Sequence, residues 1–415
     1  MDRLTLRNVL LYFTVDIGTF VSIWFFDLTT ALITYTLTKS PISLGIVGFA
    51  QNIPFLLFSL YGGAIADRHD RRRVVLFFNS CLFLVTFTAL ALQLLHLLTF
   101  PLIIVLSLTY GTIWALNLPS MLALVKDIVT DEHEFARVMG AAASNGKIGQ
   151  MGAASVFGYI YATCTAAGVF VAGLCFNAIA FIAILLVKTK ARVVQKTTSP
   201  LRGQITTGIR YVTAHPPLLM VIMLATVVST VFAFVLFQFP VIDADFLHGN
   251  KLFLSALYFA GGLGGLTSGL YLVRRKSPRG ILWFMVFCTV LSGVSVIVLG
   301  NSRDVFLSAI CAAGIDFAFI GTMGVSNTVL QLLTDDERRG RVLGINTMGA
   351  WGIMAVMIVV LSAIAGAWGI TFALTLAGLL CFAAAGMYLL LLPWQRPRLR
   401  ALSAERGIGP ADELI

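Results

Sequence analysis

Charge is scarce in this sequence. Only 12% of its 415 residues are Asp, Glu, Lys or Arg, and 58% are hydrophobic. An ordinary soluble domain carries about 25% charged residues. So little polar surface cannot cover a soluble globule, and so apolar a chain is not a disordered one. Cysteine is scarce as well. Cys81, Cys164, Cys175, Cys288, Cys311 and Cys381 all fall in apolar runs and none has CxxC spacing. This excludes a disulfide scaffold and reads as small core hydrophobes. The 37 glycines follow no G-X-Y period, which excludes a collagen-like chain. There is no GxxxxGK[ST] loop, so ATP does not drive this protein directly. HExxH is missing, and His69, His96, His133, His215 and His248 scatter over loops and span ends. No Ser/His/Asp group converges at one depth. We therefore expect no catalytic residue, cofactor or metal. A membrane-embedded enzyme, a lipid-handling protein and a channel are distant alternatives.

What the sequence has in abundance is long apolar runs. They lie near 9–38, 42–66, 74–95, 102–125, 138–162, 167–187, 218–240, 252–273, 281–300, 304–330, 342–365 and 370–392. About 20 helical residues span a ~30 Å hydrocarbon core, so twelve transmembrane helices are expected. A membrane barrel would show ~10-residue alternating segments instead. The first run is too long for a signal-peptide core and lacks a small-residue cleavage site, so it reads as a retained span.

Lysine and arginine set the orientation. With twelve spans both termini share a side. Of the 29 basic residues, 25 then fall on that side, and only Lys39, Lys251 and Arg303 on the other; Lys147 lies within a span. The terminal side is therefore expected to be cytoplasmic. The net charge of +10 is explained as topology signals beside anionic lipid, and no nucleic acid is expected as a partner.

The longest polar interruption, 188–217, divides the chain into an N-terminal half (1–187) and a C-terminal half (218–392), followed by a tail (393–415). Within it, Leu201, Ile205, Ile209 and Tyr211 have roughly helical spacing, which predicts a short amphipathic helix on the cytoplasmic face. The halves look related. Asp131, Arg137, Val138 and Gly140 match Asp335, Arg341, Val342 and Gly344 at an offset of 204, and the same offset lays Arg71 and Arg72 over Arg275 and Lys276. Parallel six-span repeats are a known secondary-transporter design with the binding site at the repeat interface. Shared loop composition is the alternative explanation.

Between spans two and three stands Gly62-Gly63-Ala64-Ile65-Ala66-Asp67-Arg68-His69-Asp70-Arg71-Arg72-Arg73. The small residues would let another backbone approach closely. Asp67 would pair with Arg71 or Arg72 and face the positive end of a neighbouring helix. Alternatively, the arginines serve only as topology charges. Here the sequence resembles the major facilitator superfamily, whose signature loop Gly63, Asp67, Arg68, Arg71 and Arg72 fit. Asp70 stands where the general pattern has Gly, and that departure resembles a branch of drug and siderophore exporters that includes the enterobactin exporter. Gly208, Tyr211, His215, Pro216 and Leu218 are similar to that branch's approach to span seven, and Gly340-Arg341-Val342 to its opening of span eleven. The resemblance implies a latch, formed by Asp67 and the start of span eleven near Arg341, that closes the cytoplasmic side.

Four ionisable residues lie within spans: Asp16, Asp27, Lys147 and Asp316. Each costs roughly 2.5–3.5 kcal/mol at a helix centre on insertion scales, so each should face a cavity or a partner. Lys147 lies ~14 Å into span five and Asp316 ~18 Å into span ten, at 1.5 Å per residue. The resemblance implies that spans one, four, seven and ten line a cavity while two, five, eight and eleven form the rocking interface. Asp27 would then pair with Lys147, and Asp316 would face them. The exporter branch often carries a basic residue at the Lys147 position, followed by a stretch with Gly and Pro. Gly149 and Gly152 remain here but no Pro follows, so that antiporter signature is incomplete.

A buried carboxyl resists ionisation, and a nearby cation restores it. A carboxylate whose neighbour changes during rocking can thus load and release a proton. The order of candidates is Asp27, Asp316, then Asp16; static ion pairing is the alternative for each. Trp24, Gln51, Asn52, Trp114, Asn117, Gln238 and Tyr258 join Asp27, Lys147 and Asp316 as candidate substrate contacts, with Asn145, Phe234, Asn346 and Trp351 behind them. Each is equally able to serve as interhelical packing or hydrogen bonding. Gly261, Gly262, Gly264, Gly265 and Gly269 in span eight suggest close, sliding contacts.

The resemblance and the residues together give one reading. The chain is an all-α inner-membrane secondary transporter of bacterial type, twelve helices in two halves, a monomer with both termini cytoplasmic. It would expel a small amphiphilic molecule, a drug or a siderophore, in exchange for protons. Proton-coupled import of a polar solute or siderophore is the rival.

Overall fold

The computed structural model describes residues 3–129, 131–189, 210–246, 251–275, 277 and 279–405. Among these there is no strand, and eleven helices are long and apolar enough to cross a membrane. Helices are what a bilayer permits, since every backbone donor must be satisfied within its own segment. The helices are α1 (Arg3–Thr38), α2 (Pro41–Arg68), α3 (Arg71–Leu94) and α4 (Phe100–Ile128). Next comes Glu132–Leu186, 55 residues and therefore ~82 Å if straight, broken at Thr165 by φ 59° and ψ −168°. Its two ends lie together: Val138 and Ala142 share a cluster with Ala183, Ile184 and Val187. The segment is therefore a hairpin of two helices, here α5 (132–164) and α6 (166–186), which makes twelve helices of spanning length among the described residues. Then follow α7 (Pro216–Phe246), α8 (Lys251–Arg274), α9 (Ile281–Asn301) and α10 (Val305–Leu333). α11 joins Asp336–Thr347 to Met354–Trp368 through a π-helical turn, Met348–Ile353, and α12 is Ile370–Glu405.

The twelve expected spans are all present, but several helices outrun them. α1 begins at Arg3, and α12 continues through Pro393 and Pro397 to Glu405, where a tail was expected. Hydropathy marks the part of a helix in hydrocarbon, not its ends in the interface. Asp70, Asp131 and Asp304 cap α3, α5 and α10, accepting from the Arg73, Glu134 and Leu307 amides at 3.2, 2.9 and 2.8 Å, which satisfies orphan donors. The amphipathic helix expected near 201–211 lies mostly outside the described residues; 210–214 are helical. All six cysteines are free.

Packing within the two sets of six follows one plan. α2 packs on α4, and α8 on α10; α3 packs on α4, and α9 on α10. A Cβ at Gly111 would run into the Gln51 backbone, and one at Gly264 into that of Ala313, so the α2–α4 and α8–α10 crossings both depend on glycine. Between the sets, α5 packs on α8 and α2 on α11.

The core is asymmetric along the membrane normal. On the face carrying the basic loops, each set has its own cluster: Val9, Val75, Leu124 and Ile184 in one, Leu218, Met285, Val329 and Val342 in the other. Toward the opposite face, a single cluster runs through both, from Leu28, Leu32, Leu44 and Phe157 to Val235, Phe239, Leu254 and Leu361. The halves are therefore welded on the face away from the basic loops.

Candidate functional site

A cavity of about 370 Å³ lies between the halves, lined from α1, α2, α4, α5, α7, α10 and α11. Its walls are aromatic pairs. Phe20 meets Trp114 edge-on at 5.3 Å, Phe55 stacks on Trp351 at 5.1 Å, and Phe232 stacks on Phe319 at 4.0 Å with 3° between planes. Offset and edge contacts of this kind hold rings rigid. The π turn of α11 carries Trp351 into the wall, and such turns recur at functional sites. Asp27, Gln51, Asn52 and Lys147 are polar members of the lining.

Lys147 binds across the interface. Its ammonium pairs with Asp316 of α10 and donates to Gln150 Oε1 at 2.8 Å. It also sits 4.9 Å from the Phe232 ring centroid, 5.7 Å from Phe319 and 6.0 Å from Trp24. Gln150 in turn donates to the Tyr258 carbonyl at 3.1 Å. A buried pair repays its desolvation only when further hydrogen bonds and close geometry support it, and these contacts supply both. The glycines of α8 make the room. A Cβ at Gly261 would overlap Asp316 Oδ2, and one at Gly265 would lie 2.7 Å from Lys147 Cε.

Asp27 was expected to pair with Lys147. It bonds Gln51 instead, half-buried at the cavity wall. Trp24 Nε1 donates to the Gly146 carbonyl at 3.1 Å, pinning α1 to α5, and Asn52 donates to Gly48 of its own helix at 2.8 Å. The cavity thus holds one acid without a cationic partner and one cation already paired with an acid of the other half.

Other sequence candidates lie elsewhere. Asp16 is buried and accepts from Asn145 Nδ2 at 2.6 Å. Asn117 donates to Asn79 at 3.2 Å. Gln238 donates to the Pro41 carbonyl and Ser362 Oγ at 3.1 and 2.8 Å, a strut between the halves on their welded side. Tyr258 gives its hydroxyl to the Leu236 carbonyl at 3.1 Å and lines a small adjoining pocket with Trp24 and Asp27. Asn346 bonds Ser326 and Asn327, and Phe234 is buried. Sequence reasoning missed Phe20, Phe55, Tyr110, Phe232, Phe319 and Gln150. Gln150 had a signal, one helical turn from Lys147. The phenylalanines had none among 31.

At the signature loop, Asp67 is 3.7 Å from Arg71 and its side chain is 55% exposed. It does not pair with Arg341. Arg71 is buried, 2.9 Å from Asp127 Oδ1 on α4 and 2.9 Å from the Ala123 carbonyl. Arg72 donates to the Ile184 and Leu185 carbonyls at 3.1 and 2.7 Å, closing the C-terminus of α6 where carbonyls lack helical partners. Arg68 is exposed. Asp127 had not been anticipated.

Both interfacial seams open toward this loop. Along α2, added Cβ atoms at Gly45 and Gly48 would meet Ser362 and Ile358 of α11, and Leu56 lies against Gly352. Two turns on, on the same face, Gly63 has nothing within 4 Å. Along α5, Met151 and Lys147 lie against Gly262 and Gly265, yet Gly140, two turns from Lys147, has open space.

The sequence matches the Major Facilitator Superfamily over residues 12–357, and the chain belongs to that superfamily. No curated protein matches it in sequence. Solved structures share the fold. The nucleoside transporter NupG superposes with a TM-score of 0.70, at 13% identity, covering 94% of this chain and 99% of its own. A POT family transporter in complex with 5-aminolevulinic acid has a TM-score of 0.76, at 13% identity, covering 94% and 96%. A bacterial homolog of the human lysosomal transporter Spinster, inward-facing and unoccupied, gives 0.66 at 15% identity, covering 94% and 97%.

Proposed function

We propose that this superfamily member is a proton-coupled exporter of a small amphiphilic molecule, a drug or siderophore, of the branch resembling the enterobactin exporter. The carrying observation is the cavity itself: rigid aromatic walls between the halves, with Asp27 on one side and the Lys147–Asp316 pair spanning the interface. Aromatic walls suit an amphiphile, and convergent charges in a membrane mark a substrate or proton path. Asp27 is the proton carrier. A substrate carboxylate competes with Asp316 for Lys147, or a substrate cation competes with Lys147 for Asp316. Either exchange loosens the tie between α5 and α10 and permits rocking. This is a differential interaction with two states, which a population shift requires.

The units that rock are 1–187 and 218–392, joined by 188–217, with 393–415 as the tail. The basic-loop face is cytoplasmic in a bacterial inner membrane, so the seams open at Gly63 and Gly140 make this conformation inward-open. In the outward-open state Asp67 meets the start of α11 near Arg341, with Gly63 allowing the approach, and Arg68, Arg71 and Arg72 fix the loop. The protein works as a monomer.

The test is purified protein in liposomes with a trapped pH dye, an imposed proton gradient, and a panel of drugs and siderophores. Export predicts proton movement opposite to the compound, lost in Asp27→Asn. Movement in the same direction would establish import instead. No proton movement with any panel compound would remove proton coupling from the account.

A further inference from the structure

One buried acid has no part in the cavity. Asp16 lies three helical turns from Asp27 on the same face of α1, ~16 Å away at 1.5 Å per residue. Between them Phe20 projects from that face and closes edge-on against Trp114. The direct line between the acids is therefore apolar.

Behind this aromatic plug runs a polar seam between α1, α3 and α4. Thr19 Oγ1 is 3.5 Å from Asn79 Oδ1, and Asn117 Nδ2 is 3.2 Å from the same oxygen. Toward Asp27, the Tyr110 hydroxyl faces those of Ser22 and Thr86 and lies within the field of Asp27. Toward the basic-loop face, Tyr12 lies within the field of Asp16. One turn further, Asn8 holds the Lys188 backbone through both its amide oxygen and nitrogen.

The seam is buried yet under-bonded. Tyr12 Oη, Asn79 Nδ2 and Asn117 Oδ1 are fully shielded and lack a hydrogen bond within the protein. Isolated orphans of this kind are rare in folded proteins. Here three lie along one seam, below the Ser22, Thr86 and Tyr110 hydroxyls. Buried polar groups with unused capacity in a contiguous file are the setting in which internal water is bound.

We propose that this seam is a hydrated proton path that leaves the cavity wall at Tyr110 and joins Asp27 to Asp16. The step balances simply. The Asp27 carboxylic acid releases its proton and becomes a carboxylate. The proton passes along hydroxyls and water by exchange of hydrogen bonds, and the Asp16 carboxylate receives it. No electron moves. The titratable groups facing Asp27 are Tyr110 and Tyr258, and the one facing Asp16 is Tyr12; Lys147 is committed to Asp316. The consequence is that a proton leaves by a route that bound substrate does not block. This inference rests on the proton-coupled reading above.

Two measurements on the full chain test it. Radiolytic hydroxyl labelling in lipid nanodiscs marks side chains beside internal water. Tyr12, which lies outside the cavity, should be labelled at least fivefold faster than Tyr258, which is also buried but bonded to Leu236. Labelling of Tyr12 no faster than Tyr258 overturns the path. In the liposome assay, Asn79→Leu and the milder Thr86→Val should slow compound-driven proton movement tenfold or more. Compound–compound exchange should stay within twofold of the parent. Proton movement unchanged in both variants, or falling only in step with exchange, overturns the path. If no panel compound moves protons while Tyr12 still labels, the proton-coupled reading fails and the seam is a structural water channel.

Discussion

Lys147 of α5 and Asp316 of α10 form a buried ion pair across the interface between the two halves. The two residues are 169 positions apart. The α8 glycines allow their approach, and stacked Phe232 and Phe319 flank the ammonium. Every excursion of one half against the other must stretch or exchange this contact.

Breaking the pair by half is therefore more damaging than removing it. Lys147→Met or Asp316→Leu alone leaves an unpartnered buried charge and should cost about 3–5 kcal/mol. The double substitution should recover most of that loss in thermal unfolding while transport stays abolished. Equal stability of single and double variants would show that the pair carries no strong coupling.

Asp27→Asn keeps the bond to Gln51 but removes the titrating group. Binding of a transported compound, followed by tryptophan quenching at Trp24 and Trp114, should stay within about threefold. That is under one tenfold step of 1.4 kcal/mol. Gradient-driven transport should disappear while exchange persists. Loss of binding with transport in proportion would make Asp27 a substrate ligand rather than a proton carrier.

Glycine content in α8 gives a paired prediction on stability. Gly264→Ala places a Cβ against the Ala313 backbone and should destabilise by about 1–3 kcal/mol, as overpacking does. Gly269→Ala meets only Ile320, at 3.9 Å, and should be neutral or slightly stabilising, since Ala favours helix over Gly. Thermal unfolding in detergent distinguishes the two.

Much of this fold could be read from residues. Twelve apolar runs, the basic loops and the Asp67–Arg72 motif led to the right class. The break at Thr165 fell within the gap between the fifth and sixth runs. That α12 runs on past Pro393 to Glu405 was not legible, because hydropathy says nothing of a helix continuing beyond the bilayer. Lys147 and Asp27 were identifiable as cavity residues because charge inside a span is conspicuous. Their partners were not. Which acid a lysine meets depends on helix rotation and on room at Gly261 and Gly265, and one sequence does not encode that legibly. The aromatic walls were hidden for the opposite reason: Phe232 and Phe319 look like any lipid-facing phenylalanine.

Arg71 and Asp67 of the signature loop should behave differently. Arg71 is buried against Asp127 and the Ala123 carbonyl, so Arg71→Ala should lower folded yield and thermal stability. Asp67 is exposed, so Asp67→Asn should insert and fold normally but cut transport at least fivefold through loss of the outward-open contact near Arg341. Parent transport rates in Asp67→Asn would remove the latch.

In the proposed cycle the halves part and close at the basic-loop face, with the Lys147–Asp316 pair setting the balance. Spin labels at Tyr61→Cys, exposed on α2, and Ile345→Cys on α11, in a cysteine-free background, report that seam directly by pulsed dipolar spectroscopy. A long distance is expected in the parent, and a new, shorter population when Asp316→Asn breaks the pair. One unchanged distance distribution in both proteins would contradict it.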